Sequence, residues 1–372
     1  MLFAKSKRFP AILALVLALV LTLTACSGGA SKPSDAPAPS DSSASSDNTT
    51  QPAGDGDIVI TSTEKVTLQL STTLASTHNL VSIMTKEFAE NVNKFTNGNV
   101  TVNIASDGQL FTTDGAADAL SSGGLDLHTG SVAWLMGYDP VLQYAGFAFG
   151  ATSIDQWKAS IDVIEPITEK VLADYGIVNL CLYPYSATVW GTNKPIRLPE
   201  DMKGMNMRSA GPVWASVYSD VGATGTALAS ADTYDAMDKG TIDGYFTGFN
   251  SIMARGLDAV TKYVVGIIEI PYYGIQMSQI MWDSLPADYQ AAIQKAADIA
   301  AETGYELYLK DAEDEARLEE EGVEVYFWTE EEAAIWKEAV RPTVQNWLDS
   351  CIAAGREEEC RAILAVNFGW EE

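Results

Sequence analysis

Hydrophobic and polar positions alternate along Val66-Thr67-Leu68-Gln69-Leu70-Ser71, the period-two pattern of a half-buried strand. A loop with Thr77 and His78, both able to cap the next element, follows. Val81, Met84, Phe88, Val92 and Phe95 then recur at helical spacing, and Asn97-Gly98 supplies a stop. Val100, Val102 and Ile104 alternate as a second strand. Ala116, Ala119 and Leu120 share one side of a short helix that ends at Gly123, and Leu125-Asp126-Leu127 begins a third strand. This β-α-β-α-β order predicts a mainly parallel sheet with helices on its faces.

The same order returns further along the chain. Met205 to Met207 reads as a strand, 212–220 as a helix ending near Gly222, 230–239 as a helix ending at Gly240, and Ile242 to Tyr245 as a strand. The two units share wording at matching places: residues 118–126 (DALSSGGLD) and 235–243 (DAMDKGTID) both read D-A-[LM]-x-x-G-x-[LI]-D. The expected fold is therefore α/β, with two related lobes and a ligand cleft between them. Ligands of such sheets bind beyond the carboxyl ends of the strands. Arg208 stands at that end of its strand, so the cleft is its expected address. The predicted partition is 58–185 with about 274–312 in lobe I, and 186–273 with about 313–372 in lobe II.

Composition narrows the partners. The chain has 372 residues, 47% of them hydrophobic, enough for two cores of ordinary size. Its 23 Lys and Arg face 50 Asp and Glu, an imbalance that repels phosphate backbones and excludes nucleic acid as the expected partner. The N-terminus begins with Lys5, Lys7 and Arg8, continues as an apolar run from Ala11 to Leu23, and reaches Leu23-Thr24-Ala25-Cys26. The run is short for a membrane span and reads as a secretory signal. Leu-Thr-Ala-Cys resembles the lipobox of bacterial lipoproteins, which implies cleavage after residue 25, lipidation of Cys26 and a place at the extracytoplasmic face of the cell membrane. Loss of residues 1–25 leaves 20 basic against 50 acidic residues, a net charge of −30. Residues 26–57, rich in Ser, Ala, Pro, Asp, Gly and Thr, have too little to bury and are expected to form a disordered tether. Cys181, in the apolar stretch Val178 to Leu182, reads as a buried strand residue. Cys351 and Cys360 are too far apart to bridge along one straight helix; Gly355 could turn the chain between them, and an oxidising compartment would allow the disulfide.

Five separated segments carry a family resemblance. They are VTLQLSTTLASTHNL, NGNVTVNIASDGQL, NKPIRLPEDMKGMNMRSAG, the D-A-M-x-x-G-T-I-D-G turn and LEEEGVEVYFWTEEE. Together, over roughly residues 64–368, they resemble the solute-binding proteins of TRAP (tripartite ATP-independent periplasmic) transporters. The resemblance implies a hinged two-lobed, periplasmic-binding-protein-like fold that closes on an organic acid and delivers it to the membrane permease of the same system. It also implies that Arg208 holds the ligand carboxylate, a role suited to a planar, permanently charged fork.

The chain departs from the family pattern in two places. Thr188 stands where many members have a second ligand-binding arginine, and Tyr245-Phe246-Thr247 replaces the usual Gln-Glu-Asn. With no cation at Thr188, the expectation is a monocarboxylate with an apolar or aromatic body against Trp190, Trp214 and Phe246. Thr247 is the remaining polar candidate, and Ser131 with Trp134 marks the facing rim on the other lobe. His78 and His128 are too few for a metal site, and no cofactor is expected. The sequence holds no Gly-x-Ser-x-Gly elbow, Walker loop or Cys-x-x-Cys pair, and the acidic run from Glu313 to Glu321 reads as a solvated helix face, so catalysis is not expected. A binding protein of an ATP-driven importer would share the lipobox, tether and lobes; only the ordered segments around Arg208 set it apart.

Overall fold

The computed structural model describes residues 58–369; the signal segment, Cys26 and the predicted tether lie outside that range. The alternating run forms β1 (Val66–Ser71). A π-helical turn (Leu80–Thr85) opens into α1 (Lys86–Phe95), and β2 (Val100–Ala105) follows. The positive φ of Asn97 and Gly98, 54° and 73°, makes the stop between them. Next come α2 (Thr113–Ser122), β3 (Leu127–Ser131), α3 (Ile154–Ala173) and β4 (Ile177–Pro184). The second half begins with β5 (Thr188–Thr192), β6 (Asn206–Ser209), α4 (Pro212–Asp220), β7 (Thr224–Ala227) and α5 (Thr233–Asp238). It continues through β8 (Gly244–Gly248), α6 (Phe249–Ala254) and β9 (Tyr263–Glu269). The chain then runs through β10 (Tyr272–Ser278), α7 (Gln279–Ser284), α8 (Ala287–Tyr308), α9 (Asp311–Glu320) and β11 (Glu324–Tyr326). It closes with α10 (Glu330–Ala339), α11 (Arg341–Ala353) and α12 (Glu357–Phe368).

Two sheets result, ordered β2-β1-β3-β10-β4 and β7-β6-β8-β5-β9-β11. Strand for strand they repeat, and only β11 is extra. In each, the first two pairings are parallel and the next two antiparallel. The shared sequence motif does the same work twice. Gly123 and Gly240 end their helices at φ of 76° and 65°, and the closing aspartate ties the sheet: Asp126 accepts from the Gln69 N–H at 2.7 Å, Asp243 from the Asn206 N–H at 2.8 Å. By this correspondence Arg208 stands in the second lobe where Ser71 stands in the first.

The expectation of mainly parallel sheets needs correction. The lobes exchange strands: the chain leaves the first sheet at Pro184, joins the second as β5, and returns as β10 after Glu269. Each exchanged strand enters against its neighbours, which makes both sheets mixed. The two crossings are bonded to each other, Tyr185 N–H donating to the Pro271 carbonyl at 3.0 Å. Apolar clusters cover both faces of each sheet, as strand alternation requires: Tyr272 packs on one face of β10 and Tyr273, Ile275 and Met277 on the other. A second correction concerns the C-terminus. Cys360, Ile363, Leu364 and Phe368 of α12 pack with Trp157, Ile164 and Val171 of α3, so this helix joins the first lobe rather than the second. Its apolar stripe finds the open side of α3, and Arg356 pins it there through Asp139 and Asp174. Cys351 and Cys360 form a disulfide across the turn at Gly355, their Cα atoms 6.5 Å apart; Cys181 is free and buried, in β4 as expected.

Candidate functional site

Arg208 lies one residue before the end of β6, on the side where the lobes meet. Its Nε donates to the Leu228 carbonyl at 3.0 Å, and Nη1 reaches the Phe246 carbonyl at 3.5 Å. The guanidinium carbon lies 5.4 Å from the centre of the Phe246 ring, which stacks on Trp214 at 3.7 Å. Burial pushes its pKa down. Tyr218, Tyr273 and Tyr185 counter that, and the nearby Arg255 adds to it. Among the described residues no carboxylate pairs with it.

The opposite wall comes from the first lobe and the crossing. Tyr185 stacks on Tyr273 at 4.4 Å and on His78 at 5.5 Å, while Trp134 meets Tyr273 edge-on at 5.7 Å. The Tyr185 hydroxyl shares a hydrogen bond with Ser251 of α6, and Thr247 of β8 lies beside it. Three further contacts link the loop after β1 to α6 and its end. Asn79 N–H donates to the Asn250 side-chain oxygen at 3.1 Å, Thr77 Oγ1 to the Ala254 carbonyl at 3.4 Å, and Arg255 Nη2 to the Thr73 carbonyl at 3.5 Å. His78 and His128 are neutral, burial lowering their pKa values to about 3 and about 4. His78 does cap its helix: Nδ1 accepts the Leu80 N–H at 3.2 Å.

The residues singled out in the sequence divide. Arg208, Trp214, Phe246 and Thr247 come together. Trp190 pairs with Phe246 across β5 and β8 and shares the apolar cluster of Trp214 and Phe246, but its side chain is 0% exposed and meets Phe149, Trp328 and Trp336. Its indole N–H is directed toward the Tyr218 hydroxyl without an aligned hydrogen bond. Tyr245 points to the other face of the sheet, where its hydroxyl meets Thr261 at 2.7 Å. Thr188 is buried in the β5 ladder opposite Gly248 and Glu269. Ser131 ends β3 and caps the following turn, accepting the Ala133 N–H at 3.3 Å. Sequence reasoning missed Tyr185, Tyr218, Tyr273 and Arg255. Asp258, three residues after Arg255, even suggests a local ion pair, which the fold does not form.

The family model for bacterial extracellular solute-binding proteins, family 7 (DctP), matches residues 70–350. The chain belongs to that family. Among its relatives is the C4-dicarboxylate-binding periplasmic protein DctP of Rhodobacter capsulatus, 26% identical over 267 residues, spanning 69% of this chain and 79% of that protein. The fold of this family 7 protein matches the Bordetella pertussis receptor DctP6 binding pyroglutamic acid, with TM-score 0.75, 21% identity and coverage of 82% and 100%. It also matches a TRAP periplasmic solute-binding protein of Sulfurospirillum deleyianum with bound succinate, with TM-score 0.73, 21% identity and the same coverage.

Proposed function

We propose that the protein is the solute receptor of a TRAP transporter, that it captures an organic acid between its lobes with Arg208 on the carboxylate, and that it passes the acid to the membrane permease. The observation that carries this reading is an arginine without a carboxylate partner among the described residues, facing the crossing tyrosines, in a chain with 50 acidic residues. Relatives and structural neighbours named for dicarboxylate, pyroglutamic acid and succinate support the ligand class. One fold accepts both one and two acid groups, so the residues around the anchor set the number. The protein acts by binding and release, without catalysis. It sits at the extracytoplasmic membrane face, held by acyl chains on Cys26.

Titration calorimetry across an organic-acid panel tests the anchor. Removing the partner of a buried charge typically costs about 2–5 kcal/mol, so Arg208→Ala should weaken any binding acid at least about thirty-fold without changing the circular dichroism spectrum. Arg208→Lys should also weaken it, because the two-pronged geometry is lost. Unaltered affinity in Arg208→Ala would remove this arginine from the site. For the anchor, Cys26→Ser should shift the protein from the membrane to the soluble fraction or leave an uncleaved precursor. Full membrane retention of a cleaved Cys26→Ser protein would refute lipidation there.

A further inference from the structure

Where the chain first crosses between the lobes, a buried carboxyl holds the crossing. Asp311 accepts from the Ala187 N–H at 2.7 Å and from the Ser186 hydroxyl at 3.0 Å, just past Pro184. Ser186 Oγ in turn accepts the Asn250 N–H at 3.4 Å, and Asn250 Nδ2 donates to Asp314 at 2.9 Å. The Asn250 side-chain oxygen accepts the Asn79 N–H of the first lobe at 3.1 Å. A hydrogen-bonded chain thus runs from the first lobe's backbone through α6 to the crossing and on to Asp311. Beside the carboxyl lies a cavity of about 10 Å³, room for one water at most, whose lining includes Asn79 and Leu80 of the first lobe, Ser186, and Tyr308 at the end of α8.

Asp311 is 8% exposed and takes part in no ion pair among the described residues. The groups that face it are Asp314 on α9 with Arg317 beyond, Tyr308 on α8 and Tyr185 in the crossing, while Arg255 acts on Tyr185 from the end of α6. Arg317 is bound to Asp314 at 3.3 Å, so no cation offsets a buried charge on Asp311. Burial therefore outweighs the hydrogen bonds from Ala187 and Ser186 and raises its pKa to about 7. Parting the lobes withdraws Asn79 and Leu80, which opens the cavity to solvent and gives the carboxylate the hydration that burial denies it.

We propose that ligand capture is proton-linked through Asp311: the carboxyl is protonated in the closed cleft and ionised in the open one, so lower pH favours closure and higher pH favours release. This rests on the reading of the two lobes as a cleft that closes on an organic acid. A carboxyl whose pKa is higher in the closed form, about 7 against an ordinary 3.8, supports closure in full below about pH 4 and ceases to do so as pH rises through 7. Between those limits affinity falls by up to about tenfold per pH unit.

Small-angle scattering of the ligand-free protein at pH 5.5 and pH 8 tests the link directly. The wild type should have the smaller radius of gyration at pH 5.5. Asp311→Asn, which keeps the acceptor and cannot ionise, should show the smaller radius at both. Glu269, the buried acid opposite Thr188 at the second crossing, supplies the control: Glu269→Gln should keep the response. A wild-type radius that does not change with pH, or a response that persists in Asp311→Asn, overturns the inference. Calorimetry with succinate and pyroglutamate adds the ligand: whichever binds should do so about tenfold or more tightly at pH 5.5 than at pH 8 in the wild type, and equally at both in Asp311→Asn. Arg208→Ala should lose binding and keep the scattering response, so unaltered binding in that variant removes the anchor and leaves the proton link standing. Circular dichroism at both pH values separates a change of closure from loss of the fold.

Discussion

A carboxylate far from the anchor illustrates how single residues hold the hinge. Asp311 opens α9 and accepts from the Ala187 N–H at 2.7 Å and from the Ser186 hydroxyl at 3.0 Å, which fixes the first crossing between the lobes. Burial, opposed by these bonds and reinforced by Asp314, raises its pKa to about 7. The folded state thus binds a proton that the unfolded chain, with a carboxyl near 3.8, has released. The stabilising contribution is complete below about pH 4, declines as pH rises towards 7 and is gone above it. Glu269, buried at the end of β9, has its pKa pushed upward by burial and acts in the same direction. The melting temperature should therefore fall between pH 5 and pH 8. Asp311→Asn keeps an acceptor but cannot ionise, so its fall over that interval should be smaller. Parallel curves for the two proteins would show that Asp311 does not titrate there.

At the scale of elements, the end of the chain is a clasp. Arg356 N–H donates to the Cys351 carbonyl at 2.8 Å across the Gly355 turn, and the disulfide closes the same corner between α11 and α12. Lys337 Nζ donates to the Phe368 carbonyl at 2.5 Å, linking α10 to the end of α12. The bridge spans 9 positions of sequence, and closing a loop of that length is worth about 2–3 kcal/mol in the chain-entropy account. Replacing both Cys351 and Cys360 by Ala should lower the unfolding free energy by about that amount in urea titrations, with ligand affinity unaffected because the bridge lies away from Arg208. An equal stability for the two proteins would make the bridge dispensable.

The whole molecule is two copies of one sheet plan, and two of the crossings between them are short strand-to-strand links of opposite direction. Between Pro184 and Thr188, and between Glu269 and Tyr272, only a few residues carry the chain from lobe to lobe, so rotation about them needs small changes in φ and ψ. Opening the lobes would break the contacts from Thr73, Thr77 and Asn79 to α6 and Arg255. Scattering should give a smaller radius of gyration with whichever panel acid binds tightly than without it. Stability should grow with the logarithm of its concentration, by about 2.7 kcal/mol at a hundred times Kd. Identical scattering curves with and without that acid would rule out closure.

Local pattern was enough for much of this. Strand alternation, helical spacing and glycines at positive φ act over a few residues, so β1 to β3 with α1 and α2, then β6, α4 and α5, and the internal repeat were legible in the sequence, as was the arginine near the end of β6. The tertiary structure decided matters that depend on distant residues. It exchanged β5 and β10 between the lobes, sent α12 to the first lobe, and sealed Trp190 fully inside the second lobe's core. It also left Arg255 without the nearby Asp258 and set it against Thr73, 182 residues away. Whether a charge is paired depends on which side chains the fold brings within a few ångströms, and residue spacing along one strand or helix does not contain that information.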